Sequence, residues 1–147
     1  MAVTVRRTTR DDRALVLPLI KGYLDFYEVA HPADEKLHAL LDTLELQPER
    51  GLQFIAEVDG KPVGFATLYS TFSTLRAQKA MVMNDLFVLP EARKHGVGQA
   101  LFQACANYVK DNGYAFMEWV TASDNETAQR FYEAQGATRG TWVGYSV

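Results

Sequence analysis

The sequence predicts one α/β domain of mixed α+β character, and three features predict it. Two amphipathic helical patterns occupy residues 14–46, and two strand patterns then flank Asp59-Gly60, a pair that strongly marks a tight hairpin. Two strand–loop–helix units follow, at 81–112 and 115–135. At 147 residues the chain suits a single domain spanning 1–147, long enough for a core that needs neither disulfide nor metal.

Residues 3–8 read as a first strand with Val3 and Val5 on one face. Thr9 then starts a helix, its hydroxyl a cap and Asp12 a favourable charge in the first turn. Across 14–28, Leu15, Leu19 and Phe26 with Val16, Ile20, Tyr23 and Tyr27 recur at helical spacing and predict one broad buried face. Pro18 falls on the opposite side with Lys21, Asp25 and Glu28, where it would kink the helix. A second helix at 34–46 carries Leu37, Leu40, Leu41 and Leu44 as its stripe; His31 and His38 read as surface residues.

Strands at 52–58 and 62–69 make the hairpin, and 70–79 reads as a polar link with Phe72 and Leu75 embedded in it. The strand at 81–88 leads through a loop into a helix from Gly96 that stops at Asn112-Gly113. Val97, Leu101, Ala104, Cys105 and Tyr108 form its apolar stripe, which makes Cys105 a core residue and argues against a cysteinyl acyl-enzyme. After a strand at 115–121, Ser123 and Glu126 have capping-box spacing for a helix that ends before Gly136. Residues 137–147 supply one last strand bearing Trp142 and Tyr145.

Composition excludes several classes. Hydrophobic residues at 48% and charged residues at 22% are ordinary globular values, and a net charge of −3 gives no footprint for nucleic acid. The same charge is compatible with a cationic substrate. Cys105 has no second cysteine to pair with, and no Cys/His cluster has zinc spacing, so no metal is expected. No apolar run approaches the roughly 20 residues of a membrane span, and residues 1–7 lack a signal-peptide core, so the expected compartment is the cytoplasm, with no membrane partner.

The stretch from Asn84 to Gln99 organises the chain. An apolar strand enters a loop punctuated by Pro90; Arg93, Lys94 and His95 follow; Gly96, Val97, Gly98 and Gln99 open a helix. Glycines admit backbone N–H groups to an anion, and a first helical turn offers unpaired donors with partial positive charge. The pattern therefore points to a phosphorylated ligand. Gly98 is followed by Gln99 and Ala100 and not by Lys-Ser/Thr, which excludes a P-loop, and the third glycine of a dinucleotide fingerprint is missing. What remains is Arg-x-x-Gly-x-Gly at Arg93, Gly96 and Gly98, a weak signal alone.

A second stretch agrees with it. Asn125, Ala128, Phe131 and Tyr132 precede Gly136 in the spacing Asn-x-x-Ala-x-x-Phe-Tyr. Together the two stretches resemble motifs A and B of the GNAT superfamily, the acetyl-CoA-dependent N-acetyltransferases, most closely from Met81 to Gly136. The segment from Leu68 to Ser73 is similar to one found in the polyamine and diamine acetyltransferase branch. The resemblance implies the GNAT fold: a central, mixed, mostly antiparallel twisted sheet of about six strands flanked by helices and splayed between the fourth and fifth. It also implies acetyl-CoA as cofactor, with its pyrophosphate on the loop from Arg93 to Gln99 and its pantetheine arm along Leu86, Phe87 and Val88. One N–H of those three would face the thioester oxygen. Asn125 would hydrogen-bond the cofactor near the pantetheine, and Tyr132 would approach the thioester sulfur.

Acetyl transfer to an amine also needs a base, and here the residues leave alternatives open. Diamine acetyltransferases carry Glu-Asp where this chain has Asn84-Asp85, and an asparagine cannot accept a proton. Asp85 points to the opposite face by strand alternation unless a bulge intervenes. Asp85, Glu28, Glu118, a water chain, or binding of the neutral amine would each serve. Tyr27 and Glu28 near the end of the first long helix, and Asn84, are the candidate substrate contacts, through cation–π and ion pairing.

These residues predict an N-acetyltransferase acting directly on a primary amine of a small molecule such as a polyamine or diamine. A protein N-terminus or lysine, an amino acid and an aminoglycoside are the alternatives, and a non-catalytic acyl-CoA-binding module is the rival class. A single strand after the last helix leaves a short sheet edge, which a second subunit of a homodimer would cover.

Overall fold

The computed structural model describes residues 2–147. Its sheet runs in sequence order: Val3–Arg7 (β1), Gly51–Val58 (β2), Lys61–Ser73 (β3), Gln78–Val88 (β4) and Met117–Glu118 (β5). Neighbours are antiparallel as far as β4, and β5 joins β4 in parallel through Met81 with Met117 and Val82 with Glu118. Helices Arg13–Phe26 (α1) and Asp34–Leu46 (α2) cover one face, and Val97–Asp111 (α3) covers the other. Glu126–Ala134 (α4) follows β5.

Because helices cover both faces, the central strands are buried on both and read as near-continuous apolar runs. Leu52, Ala66, Leu68, Met81 and Met83 meet Leu101, Cys105 and Val109 of α3. Ile55, Phe65 and Phe87 meet Val16, Leu19 and Ile20 of α1 and Leu37 and Leu41 of α2. The Asp59-Gly60 turn has positive φ at both residues, as a two-residue hairpin loop requires.

One irregularity matters for function. Thr67 pairs with Asp85 and Leu68 pairs with Met83, so Asn84 is an extra residue in β4. Before this bulge Met81 and Met83 face α3; after it Leu86 and Val88 take that side while Phe87 enters the α1 face. Asp85 is thereby turned toward α1.

Several expectations are corrected. The polar link at 70–79 is instead the far end of a long β3–β4 hairpin, closed by a turn at 74–77. The sheet has five strands where about six were expected, because 137–147 forms no strand, and β5 is two residues where seven were expected. The cap of α4 is Asn125, whose Oδ1 accepts from the Ala128 N–H at 3.1 Å, and not Ser123. The apolar face of α1 narrows toward its ends, leaving Leu15, Phe26 and Tyr27 well exposed. His38 is half-buried, its Nδ1 accepting from Arg13 at 3.2 Å. Arg13 also bonds Asp42 and Glu45, at 2.6 and 2.7 Å, and so ties α1 to α2. Cys105 is buried as expected, and burial pushes its thiol up to about 12, which keeps it unreactive. Among the described residues no helix is long and apolar enough to cross a membrane.

The start of α1 is held by a buried carboxylate. Asp12 accepts two bonds from the Arg6 guanidinium at 2.7 and 2.8 Å and one from the Thr9 N–H at 2.7 Å. The bond to Arg6 leads in holding Asp12 below the usual carboxylate range, so its stabilisation is present above the unfolded pKa and is lost as pH falls through the folded one. Asp12→Ala is expected to cost about 1–3 kcal/mol at neutral pH, the range for hydrogen bonds to charged groups, reduced because Arg6 is partly solvated. Thermal unfolding should show that difference shrinking as pH drops below about 4, where an unfolded aspartate titrates.

Candidate active site

The loop after β4 is pinned at both ends by buried side chains, Ala92 and Val97. Between them the chain reverses through Lys94 at φ 69° and Gly96 at φ 81°, a conformation glycine adopts without strain. The reversal leaves the backbone N–H groups of residues 94–99 with no protein acceptor among the described residues; the first α3 donor to find one is Ala100, bonded to the Gly96 carbonyl at 3.0 Å. Six consecutive donors at a helix N-terminus make a concave anion site. Lys94 and His95 are exposed beside it.

Arg93 is placed differently from its neighbours. Its Nε donates to the Val88 carbonyl at 3.0 Å, and its guanidinium lies 4.8 Å above the Phe26 ring. Its charge is thus committed to the end of β4 and to α1, and Lys94 is the freer cation at the loop.

Next to the loop the sheet opens. β4 continues to Val88 while its pairing with β5 ends at Val82, so the β5-facing edge of residues 83–88 is unpaired. The Leu89 N–H bonds Val63 on β3 at 2.8 Å, and alternation therefore turns the backbone of Leu86 and Val88 to the open side and that of Phe87 to β3. Of the three residues expected to bind the cofactor, Leu86 and Val88 turn their backbone N–H groups to the open side and Phe87 turns its own toward β3. Phe87 is instead a core side chain.

The bulge brings Asp85 to two tyrosines that sequence reasoning missed. Burial raises the Tyr23 phenol well above its ordinary value, and the charge of Asp85 raises it further. Tyr69 is pushed up to about 12 by burial and by the same carboxylate. Asn84 Nδ2 donates to Asp85 Oδ1 at 3.0 Å. Tyr23 also stacks edge-on with Tyr27 at 5.0 Å. The i, i+4 repeat of Tyr23 and Tyr27 was the available signal, and it read equally well as core.

Tyr132 lies on α4, 5.1 Å from the Trp119 ring and 5.4 Å from Phe131. Burial, with a smaller contribution from Tyr27, pushes its hydroxyl up to about 12, so it stays protonated at neutral pH. Tyr27 helps to raise both the Tyr132 and the Tyr23 phenols, and Asp85 helps to raise those of Tyr23 and Tyr69. The Oδ1 of Asn125 is spent on its cap, which leaves its Nδ2 as the free group. Glu28 sits exposed at φ 56° beyond α1, and Glu118 is exposed on β5; among the described residues neither has a side-chain partner. A groove of about 540 Å³ lined by Leu40, Glu49, Arg50, Tyr69, Thr71 and Lys79 reaches this cluster at Tyr69.

Comparison with known proteins agrees with this geometry. The profile of the acetyltransferase (GNAT) family matches residues 18–137. An uncharacterised N-acetyltransferase of Bacillus subtilis is 33% identical over 142 residues, covering 95% of this chain and 92% of the relative. A thialysine N-epsilon-acetyltransferase of Caenorhabditis elegans is 25% identical over 125 residues, covering 85% of this chain and 76% of its own. The solved aminoglycoside N-acetyltransferase AAC(6')-Iy in complex with CoA shares the fold with a TM-score of 0.85 at 23% identity, over 99% of this chain and 94% of that one.

A Cβ on Gly98 would stand 3.6–3.9 Å from Phe131 and Val88, so alanine fits and a larger side chain intrudes on the space beside the loop. Isothermal titration with coenzyme A is expected to show Lys94→Ala and Gly98→Val weakening binding about tenfold or more, at roughly 1.4 kcal/mol per tenfold. Arg93→Ala should weaken it less, because that charge is already engaged. Equal losses for Arg93→Ala and Lys94→Ala would return Arg93 to the phosphate-binding set.

Proposed function

This chain belongs to the GNAT family of acetyltransferases and is an N-acetyltransferase, and we propose that it moves the acetyl group of acetyl-CoA directly to the primary amine of a small molecule, a polyamine or diamine first. The observation that carries this reading is the row of N–H groups at 94–99 with no acceptor among the described residues, beside the open edge of β4.

When bound, acetyl-CoA supplies the activated acetyl group. The N–H groups of 94–99, with Lys94 and His95, hold its pyrophosphate, and the free Nδ2 of Asn125 reaches its pantetheine arm. Leu86 would offer the arm its open-side backbone groups and Val88 its N–H, the Val88 carbonyl being held by Arg93, and one of the two N–H groups would stabilise the thioester oxygen. Tyr132, its phenol pushed up to about 12 and so protonated, would donate its hydroxyl proton to the departing sulfur of the bound cofactor. Asp85, held by Asn84 and flanked by Tyr23 and Tyr69, takes the ammonium proton of the acceptor. Tyr27 and Glu28, at the mouth, attract that cation before it is deprotonated. The assembly we propose is a cytoplasmic homodimer, supported by the open outer edge of β5.

A second reading, an amino acid as acceptor, is favoured by Arg50 and Lys79 in the groove beside Tyr69, where they would hold a carboxylate while a side-chain amine reaches Asp85. The thialysine-acetylating relative fits this reading.

Acetyl-CoA-dependent thiol release against polyamines, amino acids, aminoglycosides and basic peptides tests both. Turnover with polyamines supports the first reading and turnover confined to amino acids the second. Silence with coenzyme A bound would leave an acyl-CoA-binding module. Tyr132→Phe is expected to lower kcat about 100-fold, the lower range for general acid–base catalysis, with KM for acetyl-CoA unchanged. Asp85→Asn should lower kcat/KM for the amine and move its rise to higher pH, because only amine already neutral in solution then reacts; an unmoved profile removes Asp85 as the base.

A further inference from the structure

The C-terminal end of α1 is not held by burial. The last buried side chain of the helix is Ile20; Phe26 and Tyr27 are about half exposed, and no basic residue stands in the last turn. Rings hold the end instead. Phe26 meets Tyr27 at 5.1 Å, Tyr27 meets Tyr23 at 5.0 Å, Tyr23 meets Phe87 at 5.9 Å and Phe87 meets Phe26 at 6.1 Å. Three rings at the end of α1 and one from β4 thus form a closed circuit in which each meets two others. Three of the four contacts are edge-to-face, an arrangement that the ring quadrupoles favour.

A cation joins this circuit to the loop. The Arg93 guanidinium lies 4.8 Å from the centre of the Phe26 ring and 6.0 Å from that of Phe87, so it faces two of the four rings within cation–π range. The same side chain donates from Nε to the Val88 carbonyl at 3.0 Å, and its backbone leads directly into the N–H groups of 94–99. Beside the circuit is Asp85: burial, and next the charge of that carboxylate, raise the Tyr23 phenol.

We propose that Arg93 is a positioning residue for the acceptor amine. It holds the aromatic end of α1 against the end of β4, and so fixes Tyr23 and Tyr27, the rings that receive the ammonium, relative to the cofactor loop. The inference deepens the transferase reading above and rests on it. An arginine next to a phosphate loop that served as a phosphate ligand would, when lost, weaken the cofactor. Here its planar face and its Nε are already engaged, and Lys94 is exposed beside the loop to meet the phosphates. Without Arg93, Phe26 loses its cationic cover, and Tyr27, set edge-on between Phe26 and Tyr23, loses a fixed neighbour on one side. The damage therefore falls on the acceptor.

The test is steady-state thiol release by the full chain, with spermidine, ornithine, kanamycin and a lysine-rich peptide as acceptor probes. Arg93→Ala should raise KM for the probe that is turned over roughly tenfold, while KM for acetyl-CoA changes less than about threefold. Its melting temperature should stay close to that of the wild type, because Arg93 is exposed. Arg93→Lys should recover part of the loss, since an ammonium can also face a ring and donate to a carbonyl. Phe26→Leu should give the same split between the two KM values, and joining it to Arg93→Ala should add little, because both changes remove one contact. A rise in KM for acetyl-CoA as large as that for the acceptor, or fully additive losses in the double variant, would overturn the inference and leave acetyl transfer intact. Silence of the wild-type chain with every probe would overturn the small-amine reading and this inference with it.

Discussion

Where β4 carries one residue more than β3 opposite it, at Asn84, the side chains of the strand exchange faces, and the arrangement of the site follows from that exchange. Without it Asp85 would share the α3 face with Met83, in apolar surroundings with no partner. With it Asp85 meets Tyr23 and Tyr69, and Phe87 fills the core under α1. Phe87 in turn supports Tyr23, whose ring is 5.9 Å away, and Phe26 beneath Arg93. A partly buried carboxylate is tolerable where polar groups answer its charge, and the bulge turns Asp85 to the side of Tyr23 and Tyr69.

The anion loop depends on the same strand from its other end. β4 stays paired to β3 as far as Val88, so the chain leaves the sheet in a fixed direction, and Ala92 and Val97 anchor the reversal that frees six N–H groups. Arg93 works within this frame as a strut, joining the Val88 carbonyl to the α1 aromatics. The free loop donors and the Asp85 carboxylate thus sit at two ends of one strand segment. Any change in where β4 leaves the sheet would move both.

The C-terminal third has the opposite character. The N-terminal body holds its elements by burial on both sheet faces and by the clamps at Asp12 and Arg13, whereas β5, α4 and the tail hold theirs by partial burial and a few side-chain bonds. Two of the residues assigned to chemistry, Asn125 and Tyr132, stand in that weaker third. Phe131 and Tyr132 pack against the core cluster, and Phe131 stands beside Gly98 of the loop.

Much of this was legible in the residues. The helices at 34–46 and 97–111, the Asp59-Gly60 hairpin and the phosphate loop follow from local rules, because periodicity, turn chemistry and free helix-terminal donors are properties of short stretches. The pairing of residues 70–79 was hidden by their polarity, since a hairpin that outruns its sheet has no apolar face to announce it. The sixth strand was expected because 137–147 has strand-forming residues; it is not seen because propensity alone does not make a strand, and this stretch pairs with none of the described strands.

By itself, then, the sequence determined the type and order of most elements, the glycine loop at a helix start and the family, all carried by neighbouring residues. Only the tertiary structure decided that Asn84 is an extra residue in its strand, that Asp85 therefore meets Tyr23 and Tyr69, and that Arg93 bonds the Val88 carbonyl. Strand register and side-chain facing are set by partners distant in the chain, and no local pattern encodes a one-residue shift between them.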